Sequence, residues 1–139
     1  MRTFYVFKIN KEMSILLKDS PYNLYKTLEG IYFLNKEYVS YGACLLEQLI
    51  SLIDVAKFDR LLYEKNKDND FYMKIGSHHK IVNKYRKEET NIFVKRTHLL
   101  ITTNVLSKNL SMFLDSNNLF VCDFYNKDYF WLSKIFVKS

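Results

Sequence analysis

The spacing of the apolar residues shifts near residue 70, from a mostly helical first half to a second half of mostly short strands, and no other feature constrains the fold as much. Before that point apolar side chains recur three and four positions apart, which lines them up on one face of a helix. After it they fall into short runs rich in β-branched and aromatic residues, separated by polar breaks, which is the pattern of strands. In the first stretch, "KEMSILLK" sets Met13, Leu16 and Leu17 on one face of a short helix, with Asn10 as its N-cap. Ser20 and Pro21 open a second helix with a stripe of Leu24, Leu28 and Ile31, because proline at the first helical position gives up no hydrogen bond there. "SYGACLLEQLISLI" carries a third stripe, Leu45, Leu46, Leu49, Ile50 and Ile53, and Asp54 is placed to cap a fourth helix whose stripe is Val55, Phe58, Leu61 and Leu62. That helix runs out in the polar "NKDND".

Strands are expected at 71–75, 80–85, 91–94 and 98–104, with "GSHH" and "RKEET" as breaks. One more helix is expected at 107–114, carrying Leu106, Leu110 and Phe113, before two final strands, "LFVCDF" and "YFWL", joined through Asn126, Lys127 and Asp128. The opening "TFYVFKI" is also a strand, with Tyr5, Phe7 and Ile9 or their neighbours as its apolar set. The expected fold is α+β: one domain over residues 1–139, a mostly antiparallel sheet packed with about five helices, helices mainly in the first half and strands mainly in the second.

Composition supports a packed core, since 48% of the residues are hydrophobic and 17% aromatic, far from a disordered chain. The longest apolar run, "ACLLEQLISLIDVA", is too short to span a bilayer and is broken by Glu47, Gln48 and Asp54. The start lacks the apolar stretch and cleavage site of a secretion signal, so a cytoplasmic location with no membrane contact is expected. Cys44 and Cys122 lie in apolar segments with no partner at metal-ligand spacing, and read as buried free thiols.

Little in the sequence points to catalysis. The three glycines, Gly30, Gly42 and Gly76, are too far apart for a phosphate-cradling loop, and no nucleophile elbow, His-Glu-x-x-His or Cys-x-x-Cys occurs. No enzyme activity, cofactor or metal is expected. His78 and His79 read as a turn; on a strand they would point to opposite faces and could not share a metal. His98 has no carboxylate or cysteine placed beside it by the sequence and reads as a structural histidine.

A net charge of +6 and a pI near 9.2 suit a nucleic-acid partner, although a chain loaded with Lys, Asn, Ile, Phe and Tyr is also what AT-rich coding produces. If "IVNKYRK" is a strand, Lys84 and Arg86 share one face, and together with Lys95 and Arg96 they form the candidate phosphate-contacting set. Glu88 and Glu89 dilute it, and a solvated sheet face is the simpler reading. "DFYNKDYFWL", residues 123–132, puts Tyr129 and Trp131 on one side of a strand and Phe130 and Leu132 on the other. With apolar residues on both sides and only Lys127 and Lys134 nearby, that hairpin reads as core and not as a base-stacking platform.

The Met13, Leu16, Leu17 stripe is different, because Ile15 points away from it and one short helix can hardly bury both sides. Part of that cluster is therefore expected to stay exposed and to fit a partner's groove. Two segments, "FYVFKINKEM" at 4–13 and "LFVCDFYNKDYFWLSK" at 119–134, resemble the sporulation inhibitor of replication (SirA) family of endospore-forming Bacillota. The resemblance implies a small non-enzymatic regulator that binds the N-terminal domain of the replication initiator DnaA and suppresses replication as spores form. It also implies contact through the first helix, at Met13, Ser14, Leu16 and Leu17 here, and a second contact around Cys44, Glu47 and Gln48 in the third. Where the family's helix favours aromatics this chain has Met13 and Leu17, which keep the hydrophobicity with less ring area.

Overall fold

In a computed structural model, which describes residues 1–104 and 118–132, the chain is α+β and its strands form a single antiparallel sheet. The strands are β1 (Arg2–Lys8), β2 (Tyr72–Ile75), β3 (His78–Asn83), β4 (Glu88–Val94), β5 (Leu99–Thr103), β6 (Leu119–Asp123) and β7 (Asp128–Trp131). Their order across the sheet is β2-β3-β4-β5-β1-β6-β7, so the first strand in sequence lies between β5 and β6. The described residues hold four α-helices, α1 (Lys11–Leu17), α2 (Pro21–Tyr32), α3 (Val39–Leu49) and α4 (Val55–Asn66), where about five were expected, and a short 3-10 turn at Lys36–Tyr38. The helix expected at 107–114 lies outside the described residues.

The opening strand is buried on both faces, which is why no clean alternation marks it. Phe4 and Val6 join a core with Ile92, Leu99, Ile101, Val121 and Leu132, covered by Val55, Phe58 and Leu62 of α4. Phe7 and Ile9 join a second core on the opposite face, with Leu24, Tyr25 and Leu28 of α2, Leu49 of α3, and Phe120, Cys122 and Trp131. The sheet is thus the middle of three layers, with α4 on one side and α1 to α3 on the other. The hairpin β6–β7 is core as expected: Tyr129 and Trp131 face the second core, and Phe130 and Leu132 the first. Although β7 is an edge strand among the described residues, both of its faces are covered.

The third apolar stripe does not continue as one helix. α3 stops at Leu49, Ile50 takes extended backbone and pairs with Ile9, and Ile53 crosses to the opposite core. The turn is held by Ser51 N–H donating to the Lys8 carbonyl at 2.7 Å. Asp54 then caps α4 as expected, accepting from Lys57 N at 3.2 Å. Leu61, expected on the inner stripe, is exposed, because Leu62 and Phe58 take the inward positions. Cys122 is buried, whereas Cys44 is exposed: Leu46 and Leu49 face inward on α3, and position 44 falls on the outer side.

The histidine pair is on a strand and not in a turn. Gly76 at φ +60° and Ser77 make a two-residue connection, so β3 begins at His78. At the other end, β3 stops at Asn83, whose side chain accepts from Tyr85 N and Arg86 N to form the turn into β4. Lys84 and Arg86 therefore sit in a turn, not on a strand face.

Candidate protein-docking surface

One asparagine joins the two regions singled out on the first and third helices. Asn10 Oδ1 caps α1 by accepting from Met13 N at 2.8 Å, while its Nδ2 donates to the Gln48 carbonyl at 2.8 Å. Its backbone N–H donates to the Leu49 carbonyl at 2.9 Å. The start of α1 and the end of α3 are pinned side by side by groups that would otherwise be unpaired helix termini.

On α1 the inward residues are Met13 and Leu17, half-buried against the second core, and Ser14, whose Oγ donates to the Lys11 carbonyl at 2.8 Å. Ser14 and Leu16 flank Met13 and Leu17 on opposite sides of the helix, and the core lies on the Ser14 side. Leu16 is thereby parted from the stripe predicted for it: it is 72% exposed and Ile15 is 69% exposed. On α3, Cys44, Glu47 and Gln48 are all exposed. The outward residues are thus two aliphatic side chains on α1 and the thiol and polar side chains of Cys44, Glu47 and Gln48 on α3.

The four cations of the alternative set are not one patch. Lys84 and Arg86 lie in the turn before β4 and Lys95 and Arg96 in the turn after it, all exposed. β4 is seven residues long, which at about 3.3 Å per residue sets the two pairs on the order of 20 Å apart.

His98 packs its ring between Tyr5 and Phe7, at 5.4 and 5.7 Å between centroids, and bonds Thr97 Oγ1 through Nδ1 at 2.8 Å. Burial, helped by Lys95, pushes its pKa down to about 4, so it is a neutral structural ring, and among the described residues no carboxylate is bonded to it. His79 is more engaged than the sequence suggested. It is buried, with Nε2 at 2.8 Å from Asp59 Oδ1 and Nδ1 at 2.6 Å from the Tyr72 hydroxyl, and Ser77 Oγ donates to Asp59 Oδ2 at 2.7 Å. Burial lowers the His79 pKa despite the Asp59 bond. The neutral ring then donates to Asp59 and accepts from Tyr72. Because Ser77 is bonded to the carboxylate and not to the imidazole, no nucleophile–base pair results. The chain Ser77–Asp59–His79–Tyr72 ties α4 to the outer hairpin; sequence reasoning missed it because its members are far apart until β3 is in register. Among the described residues no group of three or more His, Cys, Asp or Glu is placed to hold a metal, and no helix is long and apolar enough to cross a membrane.

No known family model matches the chain, and no curated protein matches it.

Proposed function

We propose that this chain is a non-enzymatic regulator that works by docking the outward surface of α1 and α3 on another protein. The partner implied by the resemblance of its two ends is the N-terminal domain of DnaA, in the cytoplasm of a spore-forming cell, where occupancy of that domain would hold back new rounds of replication. The observation that carries the reading is the pair Ile15 and Leu16, exposed together on a helix that Asn10 fixes against α3. Burying two aliphatic side chains contributes about 3 to 6 kcal/mol before the costs of association, which themselves begin at about 4 kcal/mol. Affinity would be modest, with Glu47 and Gln48 adding orientation more than strength.

The test is a calorimetric titration of the full chain with the DnaA N-terminal domain at low and high salt. Saturable binding that survives high salt, and is lost in Leu16→Asp, is the expected result. Leu16 is the position to change because, unlike half-buried Met13, it can carry a charge without disturbing the core. Binding that collapses with salt would point to a charge-driven partner instead.

A further inference from the structure

At the other end of β1 a cleft of about 620 Å³ opens between that strand, the end of α2 and the β6–β7 turn, with Arg2, Tyr5, Tyr32, Phe33, Phe124 and Tyr125 among its walls. Its inner wall is the end of a column of nearly parallel rings. Tyr129 and Tyr25 stack at 4.7 Å and 21°, Tyr25 and Phe124 at 5.9 Å and 29°, and Phe124 and Tyr32 at 4.6 Å and 14°. The column ends on Tyr32, 47% exposed, with Phe33 at 62% and Tyr125 at 92% beside it. The Tyr5 and Tyr32 hydroxyls bond each other at 3.0 Å, which uses one of their two hydrogens and leaves the second as a donor.

Arg2 is held rigidly at the cleft: Nε donates to buried Asp123 at 3.0 Å and Nη2 to Asp128 at 3.0 Å. Nη1 has no protein partner among the described residues. Asp123 and Asp128 offset the Arg2 guanidinium and the Met1 amino group, which also lines the cleft, so charge alone draws in neither an anion nor a cation. The unpartnered N–H groups of Nη1 disfavour a cation. What remains is an uncharged flat ring with a hydrogen-bond acceptor on its edge.

We propose that this cleft binds a neutral heteroaromatic ring of the nucleobase class, stacked at the end of the Tyr32 column with an acceptor atom turned to Arg2 Nη1. The ligand is a free base or nucleoside rather than a nucleotide, since Asp123 and Asp128 already occupy the Arg2 charge that a phosphate would need. The site stands apart from the docking surface, at the far end of the seven-residue β1, and is independent of it.

The test is titration of the full chain with adenosine and with uridine, and separately with their monophosphates, followed by amide, tyrosine and Arg Nε–H resonances. Saturable shifts at Arg2, Phe33 and Tyr125 with the nucleosides, weaker binding of the monophosphates, and about tenfold weaker nucleoside binding in Phe33→Ala are expected. Phe33 is exposed, so that variant keeps the fold; Arg2→Lys, which retains the charge and removes Nη1, should weaken binding as well. Absence of saturable shifts, tighter binding of the monophosphates, or unchanged affinity in Phe33→Ala would each overturn the proposal.

Discussion

The two halves of the sheet are held by different means. Around β1, β6 and β7 both faces are packed and the hold is mostly apolar, with Arg2 bridging Asp123 and Asp128 as the polar exception; among the described residues Trp131 Nε1 is buried without a hydrogen-bond partner. At β2 and β3 only the α4 side is covered among the described residues; Met73 and Ile75 on the other face are exposed, and polar side chains take over the hold. There, Asp59 reaches from α4 to Ser77 and His79, His79 reaches to Tyr72, and on the open face His78 lies on Phe93 at 4.3 Å while bonding Asn91. Where a sheet can bury both faces, non-directional packing carries most of the hold; where it can bury one, directional bonds take a larger share in specifying the register.

The contrast can be broken at either half. Phe120→Ala, in the doubly covered half, removes a fully buried ring that meets Trp131 edge to face at 5.0 Å. It should cost about 3 to 5 kcal/mol of global stability in urea unfolding. A loss below about 1 kcal/mol would mean that the second core is not packed as described.

Asp59→Ala leaves the Ser77 hydroxyl and the His79 Nε2–H without an acceptor in a part-buried setting and should cost about 1 to 3 kcal/mol. The loss should concentrate in β2 and β3, seen as faster amide exchange there than in β1.

Acid should act on the histidines. In the folded chain burial depresses the pKa of both His79 and His98, the latter to about 4, while an unfolded histidine titrates near 6.5. The unfolded state therefore takes up protons first as pH falls; the stability that the neutral rings contribute is fully present above about 6.5 and is lost as pH drops toward about 4. Urea midpoints measured across that range should fall with pH, and His98→Phe should flatten the curve. The smallest effect on stability is expected from Leu16→Asp, within about 0.5 kcal/mol of the parent. A larger loss would return Leu16 to the core.

Much of the fold was legible wherever the determinant was local. Asn10 and Asp54 as caps and Pro21 at the start of α2 are decided by a few neighbouring residues, and each helix starts where those residues put it. Legibility failed where distant packing chose among equivalent local options. Nothing near Ile50 says that it will pair with Ile9 and end a helix, and the pattern of α1 fits a core on the Leu16 side as well as on the Ser14 side. The alternation of "IVNKYRK" runs on past Asn83, so the turn that carries Lys84 and Arg86 was hidden by a strand-like pattern. For the candidate site, the α1 region came from its apolar pattern as well as the resemblance, the α3 region from the resemblance alone, and the side of each helix that faces outward only from the fold. The ring cleft was not anticipated, since its walls come from three separate segments.

The most direct test of the docking account is amide hydrogen exchange on the full chain with and without the DnaA N-terminal domain. The account predicts slowed exchange at α1 and the end of α3 and no change at the β3–β4 turn that carries Lys84 and Arg86. Unchanged exchange throughout, or protection confined to β2 and β3, would contradict it.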